Sequence, residues 1–146
     1  MRLLASTDMA LRVLIWLGGQ SGHRPVSVEA LAGALGGLSR NHLHKIVQDL
    51  TALGVTRTVR GVGGGVSLAR PPGQIRLGTL IRQLETSQAI VECFRAGDSA
   101  CALLPQCRLR GLLGSAQGRF YDSLDEHTLA DCLPPGAGPI SVALPA

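Results

Sequence analysis

Three of the four cysteines in this chain lie within fifteen residues of one another, at Cys93, Cys101 and Cys107. Seven residues separate the first pair and five separate the second, which is not the C-x₂-C spacing of zinc ribbons. A disulfide framework is not expected, because a chain of 146 residues can bury an adequate core and begins without an export signal. Three thiolates on one loop can hold an iron–sulfur cluster, 2Fe-2S or 4Fe-4S, with a fourth ligand from elsewhere. The spacing therefore predicts a metal or redox site without naming the metal.

The fourth ligand of such a site is left open by the sequence. The candidates are Asp8, Cys132, His23 and His127. Cys132 lies among apolar residues, and a lone cysteine in that setting is more often a core residue than a metal ligand. We therefore expect Cys132 to be buried.

A second group of residues is suited to nucleic acid. Apolar residues recur at helical spacing from Leu43 to Leu53. Ser39 is the expected N-cap of that helix, and Gly54 stands where a glycine follows the C-terminal end. The opposite face is basic and rich in amides: Arg40, Asn41, His44, Lys45 and Gln48. The side chains that would point at base edges or phosphates are those at the helix start, Ser39, Arg40, Asn41 and His42. The alternative is an ordinary solvated helix face.

A glycine-rich segment follows this helix, from Arg60 to Gly65, between two predicted strands at 55–59 and 66–69. Its basic neighbours are Arg57, Arg60 and Arg70. A strand pair directly after a recognition helix is typical of a wing that reaches a phosphate backbone or a minor groove. The residues expected at its DNA-contacting tip are Arg60, Gly61, Gly63 and Gly64. A nucleotide-binding loop is excluded, because no Gly-Lys-Ser/Thr is present and a strand follows; a plain glycine-rich hairpin remains the alternative.

The other predicted elements position these two groups. A first helix is expected over residues 9–17, with Thr7 or Asp8 as its N-cap. Ser27 is expected to cap a short helix, which completes a helix-turn-helix over about 28–51. Beyond it we expect a short strand at 75–77, a helical turn near 80–84 and a long amphipathic helix from Arg108 to Leu124. Such a terminal helix serves dimerisation or packs within its own chain.

The predicted elements place the chain among mainly α proteins with a small β-wing, and composition describes its core and its charge. It is 45% hydrophobic and 3% aromatic, so the core is built from aliphatic residues. Residues 1–80 have a net charge of +6 and residues 81–146 a net charge of −2, within a total of +4, so an acidic partner is expected to meet the first half. No apolar run reaches 18 residues, which predicts a cytoplasmic protein without a membrane partner. The expected divisions are a winged helix-turn-helix domain (1–72, wing about 55–69), a cysteine loop with a dimerisation helix (73–134) and a flexible tail (135–146).

No catalytic machinery is visible in the sequence. The four histidines are scattered, and no general base, nucleophile–base pair or phosphate loop can be recognised, so we expect that the chain is not an enzyme. Two alternatives to an iron–sulfur regulator remain: a zinc-stabilised or thiol-oxidation regulator, and a small iron–sulfur redox protein whose basic half is incidental.

The whole set of motifs resembles the iron–sulfur winged-helix repressors, and most closely their nitric-oxide-sensing members, the NsrR type. Other branches of that family sense iron or cluster supply. The resemblance covers nearly the whole chain, although Val62 stands where the wing of relatives often has Lys or Arg. It is carried by segments 6–12, 38–42, 59–68, 75–78, 84–85 and 128–131 together with the three-cysteine loop and Cys107-Arg108-Leu109.

The resemblance implies a homodimer that represses genes by binding palindromic double-stranded promoter DNA while its cluster is intact. It implies that Cys93, Cys101 and Cys107 ligate the cluster and that nitric oxide is the signal. In some members an aspartate near the N-terminus of the other subunit completes the site, and Asp8 occupies the matching position.

Overall fold

In the computed structural model, the described residues are 2–20, 24–36, 39–86, 89–95, 101–104 and 106–135. Helices dominate these ranges, and two short strands form an antiparallel sheet, as predicted. The α-helices and strands are α1 (Ala5–Gly18), α2 (Val28–Ala34), α3 (Arg40–Ala52), β1 (Thr56–Val59), β2 (Gly65–Leu68), α4 (Leu77–Leu84) and α5 (Arg108–Asp125). Short 3₁₀ helices cover Pro72–Gln74, Glu92–Phe94 and Leu129–Cys132.

Helix α1 begins earlier than predicted, and neither Thr7 nor Asp8 caps it. Its N-cap is Leu4, whose backbone N–H donates to the buried carboxylate of Glu85 at 2.9 Å. This long-range contact sets the entry of the chain into the helix, which local sequence patterns do not encode. Thr7 is instead buried inside the first turn, and Asp8 is exposed and paired with Arg12.

The caps of the helix-turn-helix are confirmed. The Ser27 hydroxyl accepts a hydrogen bond from the Ala30 N–H at 3.1 Å, and the Ser39 hydroxyl accepts one from the His42 N–H at 3.3 Å. Each bond satisfies one backbone donor that the first helical turn leaves unpaired. Gly54, at φ 66°, follows the last turn of α3 as predicted.

One hydrophobic core joins the elements on both sides of residue 72. The core face of α3 is formed by Leu43, Ile46, Val47 and Leu50, which pack against the aliphatic face of α1. Ile75, Leu80 and Leu129 belong to the same buried cluster. Since burying a leucine side chain is worth about 1.5–3 kcal/mol, these three residues contribute substantially to the stability of the winged helix itself.

The two strands pair in the register Thr56↔Leu68, Arg57↔Ser67, Thr58↔Val66 and Val59↔Gly65. The observed strands begin one residue away from the predicted ones. Val66 also pairs with Val26, from the segment before α2, so that the hairpin is attached to the helix-turn-helix on a second side.

The strand predicted at 75–77 is largely wrong. Arg76 alone forms a bridge, with Thr128, while Leu77 already begins α4. Backbone bonds from Leu77 to His127 and from Leu129 to Ile75 flank this bridge. The alternating pattern of residues 75–77 therefore corresponds to a single bridge, and the chain continues directly into α4.

Helix α5 packs closely on α4, and Gly78 makes this possible. A Cβ atom at Gly78 would overlap the backbone carbonyl oxygen of Tyr121. The Asp125 carboxylate accepts hydrogen bonds from the Thr79 N–H at 2.6 Å and from its hydroxyl at 3.0 Å. The Arg82 guanidinium lies 4.8 Å from the centroid of the Tyr121 ring. The C-terminal half of α5 is therefore fastened to the start of α4.

The expectation that Cys132 is buried is wrong. In the 3₁₀ helix Leu129–Cys132 it is Leu129 that enters the core, and Cys132, at the end of the turn, is an exposed residue. Its sulfur is nevertheless partly desolvated, which raises the pKa of the thiol, and the neighbouring Asp131 carboxylate adds to the rise.

Candidate DNA-binding surface and cysteine segment

The first turn of α3 presents its predicted contact residues to solvent. Ser39, Arg40, Asn41 and His42 are all exposed, while Leu43 beside them is fully buried. The Ser39 hydroxyl is occupied by its capping bond, which fixes the start of the helix. This arrangement leaves a polar helix end of the size that enters a major groove.

Two cations of this helix are in weak exposed ion pairs. Arg40 Nη1 lies 3.8 Å from Glu29 Oε1 on α2, and Lys45 Nζ lies 2.6 Å from Asp49 Oδ1 one turn along α3. Exposed pairs of this kind contribute about 0–1 kcal/mol, so a phosphate or a base edge can replace the carboxylate.

The three arginines expected around the wing tip do different things. Arg57 Nε donates to the Ser67 hydroxyl across the strands at 3.1 Å, and Arg70 Nη2 donates to the Leu53 carbonyl at the C-terminal end of α3 at 3.4 Å. Both therefore support the base of the hairpin. Arg60 is exposed beside the tip, as a residue expected to contact DNA must be.

The wing tip is a tight turn from Gly61 to Gly64, closed by a hydrogen bond from the Gly64 N–H to the Gly61 carbonyl at 2.9 Å. Gly63 has φ 75°, the left-handed region that a side chain disfavours. Val62 stands at the apex and is completely exposed.

A pair of threonines, unforeseen from the sequence, connects α3 to the wing. The Thr51 and Thr56 hydroxyl oxygens are 3.0 Å apart, and Thr51 also donates to the Val47 carbonyl at 2.7 Å. Thr56 is buried. Because the pair sits where α3 passes into β1, it fixes the wing relative to the recognition helix. Only its position between a predicted helix and a predicted strand hinted at this role.

The cysteine segment is described at its two ends. Cys93 lies in the 3₁₀ helix Glu92–Phe94 and is half-buried; Cys107 is the N-cap of α5 and is half-buried; Cys101 is exposed. Residues 96–100 and 105 lie outside the described residues. Among the residues that are described, no three His, Cys, Asp or Glu side chains converge as a metal site.

Phe94 docks the beginning of this segment onto α5. Its ring centroid lies 5.8 Å from the Arg110 guanidinium, and a Cβ atom at Gly114 would lie 3.6 Å from the ring. Arg110 and Gly114 are on the first two turns of α5, directly after Cys107. Cys93 is therefore held beside the end of the helix that Cys107 caps.

The candidates for a fourth ligand are spread over the molecule. Asp8 Oδ2 accepts from Arg12 Nη2 at 2.9 Å on the exposed side of α1. His127 is exposed at the end of α5, and Cys132 lies beyond it. His23 falls outside the described residues.

A cavity of about 500 Å³ lies between the N-terminal segment, residues 89–91 and α5. Its lining includes Leu3, Val91 and Leu113 together with the buried Glu85 and Tyr121. The burial of Glu85 was not predicted, because its partner, the Leu4 N–H, is 81 residues away in sequence.

The most exposed large apolar residues of the described ranges fall in two places. Val59 (47%) and Val62 (111%) are on the wing. Leu103 (69%), Leu109 (60%) and Leu112 (68%) are on the cysteine segment and the start of α5.

Comparison with known proteins decides the family. Residues 3–135 match the family model described as "Rrf2: Iron-dependent Transcriptional regulator". This chain is a member of the Rrf2 family. Relatives of this Rrf2 protein include the HTH-type transcriptional regulator NsrR of Geobacillus kaustophilus, which is 41% identical over 133 residues, 91% of this chain and 90% of the relative.

Solved structures agree with the Rrf2 assignment. The global cysteine regulator CymR of B. subtilis is similar with a TM-score of 0.68 and 27% identity, over 90% of this chain and 95% of that one. IscR of T. potens shares the fold with a TM-score of 0.65 and 24% identity, over 90% and 85% of the two chains. The winged-helix prediction and the expectation of a regulator rather than an enzyme are thus confirmed: the protein is a DNA-binding transcriptional regulator. Within the described residues no helix is long and apolar enough to cross a bilayer.

Proposed function

We propose that this Rrf2 protein is a homodimeric repressor that senses nitric oxide through an iron–sulfur cluster held by Cys93, Cys101 and Cys107. The observation that carries the proposal is the placement of the cysteine segment. The segment begins at Cys93, beside the Phe94 ring that packs on α5, and it ends at Cys107, the N-cap of α5. The other end of α5 is bound to α4 through Asp125.

The donor set fits such a cluster. Three thiolates within one segment match the sulfur ligation of 2Fe-2S and 4Fe-4S centres, and the half-buried positions of Cys93 and Cys107 limit solvent access. When bound, the cluster would supply iron sites that react with nitric oxide and release thiolate ligands. Asp8 of a second copy is our candidate for the fourth ligand; to serve, its carboxylate must leave Arg12.

The chain itself would transmit the signal through α5. With the three cysteines held together, the segment from 93 to 107 fixes the N-terminal half of the helix. Once the cysteines are released, the N-terminal half of α5 loses that restraint and keeps side-chain packing such as the Phe94 ring contact, whereas Asp125 and Gly78 still hold the other end. A switch from almost fully bound to almost fully free DNA needs about 5.5 kcal/mol, which several lost metal–ligand bonds can supply.

Leu109 and Leu112 support a dimer built on α5. Two leucines this exposed on one helix face lose water when a second copy packs on them. A dimer of this kind would set the spacing of two α3 helices in successive major grooves of a palindrome. The division into a DNA-binding part (1–72) and a sensing part (73–134) is then one of function, since the core is continuous.

On the DNA side, two sets of residues are proposed as contacts. On α3 they are Ser39, Arg40, Asn41, His42 and Lys45; on the wing they are Arg60, Gly61, Gly63 and Gly64. The exposure of the first turn of α3 and the weak pairing of its cations support the first set. The NsrR names of the relatives support nitric oxide as the signal.

The decisive experiment titrates anaerobically purified protein with nitric oxide and follows visible absorbance and promoter binding on the same samples. We expect a brown protein whose charge-transfer bands bleach as the anisotropy of a labelled palindromic promoter fragment falls. Binding that persists after the bands are lost would overturn the proposal. A colourless zinc protein would favour a thiol-based regulator, and release on iron depletion alone would favour an iron sensor.

A matched pair of cysteine variants tests the ligand set. Cys101→Ser is expected to abolish the visible bands and the tight promoter binding, because a two-cysteine segment no longer completes the thiolate set. Cys132→Ser removes an exposed thiol outside the segment and is expected to change neither. Absorbance and iron content after anaerobic reconstitution measure both, and a normal spectrum for Cys101→Ser would exclude it as a ligand.

A further inference from the structure

The end of the wing carries an apolar side chain where a phosphate-binding loop would carry a cation. Val62 is completely exposed, and Val59, at the end of β1, is half-exposed, with Arg60 between them. Single exposed apolar residues are common on protein surfaces, so exposure alone assigns no role to Val62.

The shape of the tip gives the exposure its meaning. Val62 is flanked by Gly61 on one side and by Gly63 and Gly64 on the other, so the apex presents one side chain between stretches of bare backbone. The Gly61–Gly64 turn is closed by its hydrogen bond, and a Cβ atom at Gly64 would overlap the Val59 carbonyl. The tip is thus narrow and folded back on β1, and it suits a minor groove about 6 Å wide.

The wing is also fixed to the element that enters the major groove. The Thr51–Thr56 pair ties β1 to the end of α3, and the Val26–Val66 bridge ties β2 to the segment before α2. When α3 binds in the major groove, the position of the wing tip on the duplex is therefore fixed by the fold.

We propose that Val62 is a specificity-determining residue that reads the minor groove by shape and by the absence of an amino group. An isopropyl side chain forms no bond to phosphate but packs against sugar walls and an A·T floor. At a G·C pair the guanine N2 amino group projects into the same space and would be left without a partner. Arg60 supplies the adjacent phosphate contact. The proposal rests on the DNA-binding function but not on nitric oxide sensing.

The test uses a palindromic duplex recovered from a random-sequence pool by the wild-type protein, with the wing step located by hydroxyl-radical footprinting. That step is then changed to A·T, G·C or I·C, and affinities are measured by fluorescence anisotropy. Inosine keeps the major-groove face of guanine but lacks the minor-groove amino group. We expect the wild type to bind the A·T and I·C duplexes alike and the G·C duplex about five-fold or more weakly.

Three variants complete the design. Val62→Ala is expected to lose most of the G·C penalty. Val62→Lys is expected to bind all three duplexes more tightly, with the slope of log K against log salt steeper by about 0.9 per new phosphate contact. Thr58→Ala, which shortens another exposed side chain of the wing, is expected to behave like the wild type.

Two results would overturn the proposal. One is a Val62→Ala protein that keeps the wild-type discrimination among the three duplexes. The other is an I·C duplex that binds like G·C, which would assign the reading to the major groove. Neither depends on nitric oxide, so a failed nitric oxide response with intact discrimination would refute the sensing function alone.

Discussion

At the scale of single residues, the neighbours Asp131 and Cys132 show how local geometry sets reactivity. Thr128 donates to the Asp131 carboxylate from its backbone N–H at 2.7 Å and from its hydroxyl at 3.0 Å, which lowers the pKa of Asp131. These bonds belong to the capping box that Thr128 and Asp131 form at the start of the 3₁₀ helix Leu129–Cys132. Because the pKa of Asp131 is lowered, the bonds are fully present above the ordinary aspartate pKa and are lost as the pH falls through the lowered value. At neutral pH the carboxylate is therefore charged beside Cys132, whose thiol pKa is raised by burial and by that charge.

Alkylation should reveal the raised pKa. The iodoacetamide reaction of Cys132, followed by peptide mass spectrometry across pH, is expected to reach half its maximum rate at a higher pH than the same cysteine in a synthetic 128–135 peptide. Asp131→Asn is expected to move the midpoint part of the way back, since it removes the second cause and keeps the burial. A midpoint at or below that of the peptide would contradict the assignment.

The two ends of α3 provide a matched test of the DNA surface. Arg40→Ala is expected to weaken binding to the palindromic duplex about ten-fold and to lower its salt dependence, leaving the visible spectrum unchanged. Arg70→Ala also removes one exposed arginine, which follows β2 and whose side chain bonds the Leu53 carbonyl at the C-terminal end of α3. It is expected to leave binding nearly unchanged, and equal losses in the two variants would show only a general charge effect.

At the scale of elements, the contact between α4 and α5 is the joint on which the proposed signalling depends. Its closeness comes from Gly78, which brings the two backbones together, and from the Asp125 carboxylate at the start of α4. Gly78 lies in an apolar helical pattern and its absence of a side chain has no local explanation, so its importance becomes visible only when Tyr121 is placed beside it.

Gly78→Ala is expected to destabilise the protein by about 1–3 kcal/mol, because the added methyl group forces α5 away from α4. Urea denaturation measures this as a lower midpoint. Gly33→Ala is the control: it lies in the short helix α2 with open space around it, and alanine there is expected to be neutral or to stabilise by up to about 1 kcal/mol. A Gly78→Ala midpoint equal to that of the wild type would show that α4 and α5 can move apart without loss of stability, which contradicts the prediction.

The elements themselves were mostly readable from the sequence. Ser27, Ser39 and Gly54 marked helix ends because capping is a local interaction within three or four residues. The predictions failed where contacts with residues distant in sequence determine the structure. Glu85 binds the N-cap of α1, and Arg76 pairs only with Thr128 where a strand was expected. Leu129, and not Cys132, is the buried residue of its turn. For the candidate site, the sequence located the exposed turn of α3 and the wing tip but not the Thr51–Thr56 link or the Phe94 contact, which depend on the fold.

At the scale of the whole molecule, the exposed leucines of α5 and the charge distribution point the same way. The basic first half contains the proposed DNA-facing surface, and the second half presents Leu109 and Leu112 on the helix that Cys107 precedes. Covering those leucines with a second copy would place two basic surfaces on one assembly.

Charge on that helix face should therefore separate the copies. The double variant Leu109→Glu, Leu112→Glu is expected to sediment as a monomer and to bind the palindrome at least ten-fold more weakly than the wild type, while its affinity for a single half-site changes little. Ser123→Glu places an acid on the exposed surface near the C-terminal end of α5, about three helical turns from Leu112, and is expected to remain dimeric. A double variant that sediments like the wild type would remove α5 from the interface.

The continuous core has a consequence for protein engineering. Ile75, Leu80 and Leu129 complete the core of the winged helix. A fragment that ends at residue 72 would expose the apolar side chains that these residues cover, so it is a poor choice as a stand-alone DNA-binding module. A chimera that exchanges sensors between two regulators should instead keep α4 and the turn around Leu129 with the DNA-binding half and swap only the stretch from about residue 89 through the middle of α5. The natural boundary for recombination therefore lies inside α5 and not at residue 72.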